Sequence, residues 1–106
     1  LGMAGTSDIV LYNTKTNKFI IADYKTNEDL FKNYKGKKLL PPFNTMVDSP
    51  YSKYQIQLSF YQLLFEQIGE DFQVEARVIV WLKPDGTFEK YFTQDWRKEI
   101  LTTFMN

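Results

Sequence analysis

The sequence contains no cysteine and no histidine, and these two absences exclude several classes of site. Without cysteine, the chain can form neither a disulfide framework nor a thiolate zinc site, which fits a reducing, intracellular compartment. Without histidine, it cannot form a Ser-His triad, use a histidine general base or bind a metal through imidazole. Any metal must therefore be bound through oxygen, which favours hard ions such as Mg²⁺, Mn²⁺ or Ca²⁺.

The chain also lacks net charge and long apolar runs. Its 13 basic residues balance 13 acidic ones, so nucleic-acid binding would need a local positive surface rather than an overall excess of charge. No apolar run approaches the ~20 residues needed to span a bilayer. The 106 residues, of which 43% are hydrophobic and 17% aromatic, are enough for one packed domain.

The first half of the chain predicts a β-hairpin followed by a long loop. Two apolar runs flank a polar turn at residues 13–17, which is typical of two antiparallel strands. This turn places Asp8 opposite Ala22 or Asp23. Residues 26–50 are mostly polar and are interrupted by glycine and proline, so we expect a loop there, and loops of this length are commonly functional.

The second half predicts a helix, a strand pair and a closing helix. Apolar residues at helical spacing indicate a helix over residues 51–68, capped by Ser49 or Ser52 and ended by Gly69. Two runs of alternating apolar and polar residues, separated by a turn, then predict a pair of strands. The closing helix is predicted to be capped by Asp95. The predicted bounds are 73–83 and 87–92 for the strands and 95–104 for the helix. The complete order indicates the α/β class, as a layered α+β arrangement with a mixed β-sheet flanked by helices.

One predicted group of charged residues is suited to chemistry. Asp23 and Lys25 are two residues apart at the end of the second strand, so their side chains share one face and Tyr24 points to the other. Asp8 comes from the neighbouring strand at about the same level. Two nearby carboxylates repel each other, and a divalent cation would remove that repulsion and act as a Lewis acid on a phosphodiester. Lys25 would orient or deprotonate a water molecule, or stabilise charge on the scissile phosphate.

Simpler interpretations of these residues stay open. An acidic residue two positions before a lysine is a common pattern, and a solvated ion pair at a strand end explains Asp23 and Lys25 as well. Gln57 and Tyr61 are four residues apart on one face of the predicted helix, where they would contact a phosphate or stack on a base. An ordinary amphipathic helix with a glutamine at its boundary explains the same pair.

Three ordered motifs give the chain a resemblance to a known family. The first is G-x-x-D on a strand, the second is D-x-K at the end of the next strand, and the third is Q-x-x-x-Y on the following helix. Their residues are Gly5, Asp8, Asp23, Lys25, Gln57 and Tyr61. In this order and on these elements, the motifs resemble the RecB-like branch of the PD-(D/E)XK nuclease superfamily over residues 5–61.

The resemblance implies a restriction-endonuclease-like core and a role for each matching residue. Asp8, Asp23 and the backbone carbonyl of Tyr24 would bind Mg²⁺ or Mn²⁺, and Lys25 would position or activate the attacking water. The two helix residues would orient the active site and the DNA backbone. The implied activity is hydrolysis of DNA phosphodiester bonds by an exonuclease of recombination, repair or phage DNA processing. The implied location is the cytoplasm of a bacterium or a phage-infected cell.

The sequence departs from the family pattern at its start. The family places a helix before the G-x-x-D strand, often with a glutamate or histidine facing the site, and nothing upstream of Gly5 supplies it. We therefore expect residues 1–106 to form a single nuclease core domain, truncated at its N-terminus. Either the chain is part of a longer protein with further domains or subunits, or the site is incomplete.

Further DNA contacts are predicted in the loop and at the start of the helix. Lysines cluster near Phe31, and this segment would form a flap on DNA phosphates with aromatic stacking, although a solvated loop is the more ordinary interpretation. The lysines proposed to bind DNA are Lys35, Lys37 and Lys38. Ser52 and Tyr54 would contact a phosphate, and a capping serine and a packing tyrosine explain them equally well.

Two other functions stay open beside the nuclease. The same scaffold without catalysis would be a DNA-binding or assembly module, whose affinity for DNA would fall with salt. A small structural or interaction domain with a fortuitous acidic cluster would show no stabilisation by a metal ion.

Overall fold

A four-stranded mixed β-sheet and two helices make up the computed structural model, which describes residues 9–26, 30–32 and 36–105. The strands are β1 (Ile9–Asn13), β2 (Lys18–Lys25), β3 (Val74–Leu82) and β4 (Phe88–Phe92), and the helices are α1 (Pro50–Glu66) and α2 (Arg97–Met105). The predicted order of elements and the α+β class with a mixed sheet are therefore confirmed.

The mixed pattern of the sheet follows from one hairpin and one crossover. β1 and β2 run antiparallel, with Ile9 paired to Ala22. Asn17 has a φ of 58° in the turn between them, a left-handed conformation that asparagine tolerates better than most residues. β2 and β3 run parallel, so the chain must cross between them through α1, and β4 returns antiparallel to β3. The strand order is β1-β2-β3-β4.

The registers of the paired strands divide the sheet into two faces, because side chains alternate along each strand. On the helix face, Ile21 and Ile79 pack against Leu58 and Phe65 of α1. On the outer face, neither α1 nor α2 covers the strands within the described part of the chain. The outer face is mostly apolar and carries Leu11, Ala22, Tyr24, Val78, Val80, Leu82, Phe88, Lys90 and Phe92.

The ends of α1 are fixed by side chains on either side of it. Ser49 caps its start, where the hydroxyl oxygen accepts a hydrogen bond of 3.2 Å from the backbone N–H of Ser52. The predicted stop at Gly69 is wrong, because the helix ends at Glu66. The Glu66 carboxylate accepts a 2.9 Å hydrogen bond from the backbone N–H of Val74, which ties the end of the helix to the first residue of β3.

The second helix packs on α1 rather than on the sheet. Trp96 and Ile100 form a cluster with Met46, and Ile56 and Phe60 of α1 pack against it. Both described helices therefore lie on the same side of the mixed sheet. Within residues 9–26, 30–32 and 36–105, no helix is long and apolar enough to cross a membrane.

A buried polar network fixes α1 across β3. The Arg77 guanidinium donates hydrogen bonds to Oε1 of Gln62 at 2.6 Å and to the backbone carbonyl of Thr93 at 3.2 Å. Burial of the guanidinium lowers the pKa of Arg77 from its usual value. Gln62 is fully buried and also donates to the backbone carbonyl of Val74 at 3.3 Å. Arg77 is therefore a structural residue that joins β3 to α1.

Leu58 is expected to contribute more to stability than any exposed leucine of the same helix. It is 0% exposed, whereas Leu64 is 48% exposed. We expect Leu58→Ala to lower the free energy of unfolding by about 2–5 kcal/mol, because it leaves a cavity between α1 and the sheet. Leu64→Ala should change it by less than about 0.5 kcal/mol. Urea denaturation followed by circular dichroism compares the two, and equal losses would contradict this packing.

Candidate functional site

Asp23 is a carboxylate placed in the interior of the sheet. It lies near the end of β2, a strand whose preceding residues are apolar, and it pairs with Ile79 of β3. Its residue exposure is 0% on the helix face. Removing a charged carboxylate from water costs free energy unless nearby charges and hydrogen bonds compensate. A specific electrostatic partner is therefore needed at this position.

Lys25 supplies the opposite charge. Its Nζ lies 3.1 Å from Oδ2 of Asp23, and the two side chains are 15% and 1% exposed. The predicted solvated ion pair is therefore not what the structure shows, because both partners are largely removed from water. Tyr24 lies between them in sequence and points to the outer face, beside Ala22 and Val80. The prediction that Asp23 and Lys25 share one face, with Tyr24 on the other, is confirmed.

The first turns of α1 cover this ion pair. The Nζ of Lys25 lies 4.1 Å from the centre of the Tyr54 ring, which is a cation–π contact. Gln57 and Tyr61 follow at spacings of three and four residues, so they lie along the same side of the helix as Tyr54. Tyr54 therefore both packs against the core and contacts the ammonium of Lys25.

Gln57 and Tyr61 are held in one arrangement by each other. The Gln57 amide donates a 2.7 Å hydrogen bond to the Tyr61 hydroxyl. Both residues line a groove of about 470 Å³, together with Phe43, Phe60 and Ile100. Apart from this polar pair, the groove is mostly apolar. The expected function of the pair, to orient DNA and the active site, stays a prediction.

Two of the predicted site residues lie outside the described residues. They are Asp8, the second expected carboxylate, and Lys35, one of the expected DNA contacts. Asp8 immediately precedes Ile9 in the sequence, and Ile9 pairs with Ala22, the neighbour of Asp23. The predicted hairpin is thus confirmed over residues 9–13 and 18–22, whereas the position of Asp8 opposite Ala22 or Asp23 stays a prediction.

The other predicted DNA contacts differ in their surroundings. Lys37 and Lys38 are exposed in the loop before α1, where Lys38 forms an isolated β-bridge with Val47. Ser52 is buried, and its hydroxyl lies 3.2 Å from that of Ser49. The cap of α1 is Ser49 and not Ser52, and the burial of Ser52 disfavours the predicted phosphate contact. Both lysines, by contrast, are accessible to a DNA backbone.

An aromatic cluster beside the ion pair was not predicted from the sequence. Phe31 contacts three rings, with centroid distances of 4.7 Å to Tyr51, 5.8 Å to Trp81 and 5.0 Å to Tyr91. Hydrophobic periodicity assigns each residue to its own element, so it gives no signal for rings that meet from a loop, a helix and two strands.

Charged groups border this cluster. The Glu89 carboxylate accepts hydrogen bonds from the Lys83 ammonium and the Tyr91 hydroxyl. The bond from Lys83, followed by the one from Tyr91, lowers the pKa of Glu89. The same carboxylate raises the pKa of Tyr91 to about 12. Glu89 is therefore ionised and Tyr91 neutral across the physiological range.

Oxygen donors for a metal ion are few around Asp23. Among the described residues, no group of three or more acidic side chains is placed to hold a metal ion. Mg²⁺, however, keeps several waters and is usually bound through one or two carboxylates together with substrate phosphates. Asp23 with one further carboxylate from the neighbouring strand would be a donor set of that kind.

Comparison with known proteins does not place the chain in a family. No family model, no curated protein and no solved structure matches it significantly. Support for the resemblance of the three motifs therefore comes from the geometry and chemistry of the chain's own residues.

Proposed function

We propose that this chain is the core of a divalent-metal-dependent deoxyribonuclease with a restriction-endonuclease-like fold of the RecB-like type. The observation that carries the proposal is the buried ion pair of Asp23 and Lys25 at the end of a central strand. For stability alone, two apolar side chains of similar volume would serve at least as well as a buried ion pair. A charged pair that is retained in such a place is a candidate for chemistry.

The order of the elements supports the proposal. The D-x-K motif lies at the end of β2, and the strand that pairs with it begins one residue after Asp8. The next long element is α1, which carries Gln57 and Tyr61 and crosses to a parallel strand. In open sheets, ligands bind beyond the carboxyl ends of parallel strands. Asp23 and Lys25 lie at that end of β2.

Each residue of the site would have a separate role in the hydrolysis of the phosphodiester. Asp23, Asp8 and the backbone carbonyl of Tyr24 would hold Mg²⁺ or Mn²⁺, which when bound supplies Lewis acidity. The Lys25 ammonium would donate hydrogen bonds to the attacking water or to a phosphate oxygen. Its contact with the Tyr54 ring limits the rotamers that Lys25 can adopt, so the ammonium stays beside Asp23.

DNA would approach the site along the surface that carries α1 and the preceding loop. Gln57 and Tyr61 would contact the DNA backbone from the groove side of α1. Lys35, Lys37 and Lys38 would neutralise phosphates farther along the strand. Exonuclease action in recombination, repair or phage DNA processing extends this proposal on the strength of the motif resemblance.

A second function is favoured by one specific observation. Lys25 already neutralises Asp23 at 3.1 Å, so the pair is balanced electrostatically without any metal ion. A scaffold of this kind would bind DNA without cutting it, as an inactive DNA-binding or assembly module. Salt-sensitive DNA binding without cleavage in any divalent ion would identify this alternative.

Cleavage of DNA is the direct test of the nuclease. We expect the full chain to cut DNA with Mg²⁺ or Mn²⁺ and to lose the activity in EDTA. Asp23→Asn and Lys25→Met should each lower the rate by about 100-fold or more, because each removes a group at the reacting phosphate. A gel assay with labelled DNA measures the rates, and circular dichroism verifies that the variants fold.

Matched variants control for the loss of charge. Asp48→Asn and Lys90→Met remove one charge each at solvent-accessible positions, and Lys90 lies on the outer face. Both should keep the wild-type rate within about threefold, since exposed charges contribute little. Cleavage that persists in EDTA, or that survives in both Asp23→Asn and Lys25→Met, rules out the metal-dependent mechanism.

Binding of the metal can be tested without DNA. At a free Mn²⁺ concentration of about 100 times the Kd, the folded state should gain about 2.7 kcal/mol, which corresponds to a rise in Tm on the order of 10 °C. We expect Asp8→Asn and Asp23→Asn to lose this shift and Asp48→Asn to keep it. Differential scanning fluorimetry measures the shift within each variant. An unchanged shift in Asp23→Asn would place the metal elsewhere.

A further inference from the structure

Phe31 is a partly exposed ring that three other rings contact at the edge of the proposed site. The residue before it, Leu30, is fully buried, and the carbonyl of Leu30 accepts a 2.8 Å hydrogen bond from the backbone N–H of Tyr51. Three surrounding rings contact Phe31 at interplanar angles of 46°, 82° and 73°. Despite these contacts, 43% of Phe31 remains exposed. The ring of Phe31 is therefore anchored by its neighbours and still accessible to a ligand.

This cluster of Phe31, Tyr51, Trp81 and Tyr91, here called the aromatic shelf, begins one strand away from Lys25. Lys25 pairs with Trp81 in the parallel register, so both side chains point to the helix face. Adjacent strands lie about 4.8 Å apart. Tyr91 is on the next strand and pairs with Ile79, which is itself the partner of Asp23. The shelf is therefore within one nucleotide's reach of the Asp23–Lys25 pair.

The charges beside the shelf suit a nucleic-acid strand. The Nζ of Lys83 lies 5.2 Å from the centre of the Trp81 ring, and Lys32 is the exposed residue that follows Phe31. Glu89 is the opposing charge, and its carboxylate is bonded to Lys83 and to the Tyr91 hydroxyl. Because Glu89 compensates the charge of Lys83, a phosphate would be attracted mainly by Lys32, while the rings offer a flat apolar surface to a base.

We propose that the aromatic shelf stacks an unpaired base next to the scissile phosphate, which makes single-stranded DNA, or an unpaired DNA end, the substrate class. The inference rests on the proposed nuclease function. Bases of an intact duplex are stacked on each other and cannot present a face to Phe31, whereas every unpaired base has one. Single-stranded DNA should consequently bind more tightly than a blunt duplex of equal length.

Binding in EDTA tests the shelf separately from cleavage. Base stacking on an aromatic residue is worth about 1–3 kcal/mol, so Phe31→Leu should weaken binding of fluorescent oligothymidine by about 5- to 150-fold. Phe31→Trp keeps an aromatic face and should retain the affinity. Because leucine preserves apolar packing, the comparison separates stacking from a merely structural effect, and thermal melting verifies folding. Fluorescence anisotropy at constant salt gives the Kd values.

Phe88→Leu is the matched control. Phe88 is 57% exposed but lies on the outer face of the sheet, so its replacement should change the Kd by less than about twofold. Equal losses in Phe31→Leu and Phe88→Leu, equal affinity for single-stranded and duplex DNA, or no DNA binding at all would each overturn the proposal.

The two proposals fail in different ways. If the wild type cuts DNA but Phe31→Leu binds and cuts single strands normally, the shelf is overturned and the nuclease stands. If Phe31→Leu weakens single-strand binding but no divalent ion supports cleavage, the shelf is supported as a binding surface and the nuclease fails.

Discussion

The burial of Asp23 is the constraint on which the candidate site depends. A carboxylate buried on the helix face of β2, beside Ile79 of β3, cannot be hydrated as it would be at the surface, so the fold must bring a cation to it. Lys25 meets this need from the same strand, two residues on, because that spacing returns the chain to the same face. The charge that compensates Asp23 therefore comes from a residue of the same strand.

The crossover explains why the helix meets this pair. Parallel strands require a connection that runs back across the sheet, so α1 must begin near the carboxyl end of β2 and finish near the start of β3. Its first turns therefore lie over Lys25, where Tyr54 covers the ammonium and Tyr51 joins the shelf. Ion pair, helix start and aromatic shelf share one end of the sheet as a consequence of topology.

Much of the fold is predictable from the sequence because its signals are local. Alternation and helical spacing predict all six elements in order, and the polar turn predicts the hairpin to within one residue of register. The shared face of Asp23 and Lys25 follows from the period of a strand. The helix ends at Glu66 and not at Gly69, and the hydrogen bond that Glu66 accepts from Val74 joins this end to β3, a contact that no residue pattern of the helix indicates.

What the sequence could not give are contacts between distant elements. The shelf combines a loop ring, a helix ring and two strand rings, and the Arg77–Gln62 bond joins β3 to α1. Neither has a periodic signature. Burial of the Asp23–Lys25 pair likewise depends on α1 lying above it, so the motif alone could not separate it from a solvated surface pair.

The three glutamines of α1 show how structural polar residues differ from candidate functional ones. Gln55 accepts hydrogen bonds from the backbone N–H of Gln94 and the indole of Trp96, and Gln62 holds Arg77, so both join separate elements of the fold. Gln57 instead bonds Tyr61 within the same helix, and the two line a groove. A hydrogen bond that links no second element adds little to the tertiary structure. Within α1, the Gln57–Tyr61 pair is therefore the candidate for the DNA contact proposed above, whereas Gln55 and Gln62 are structural.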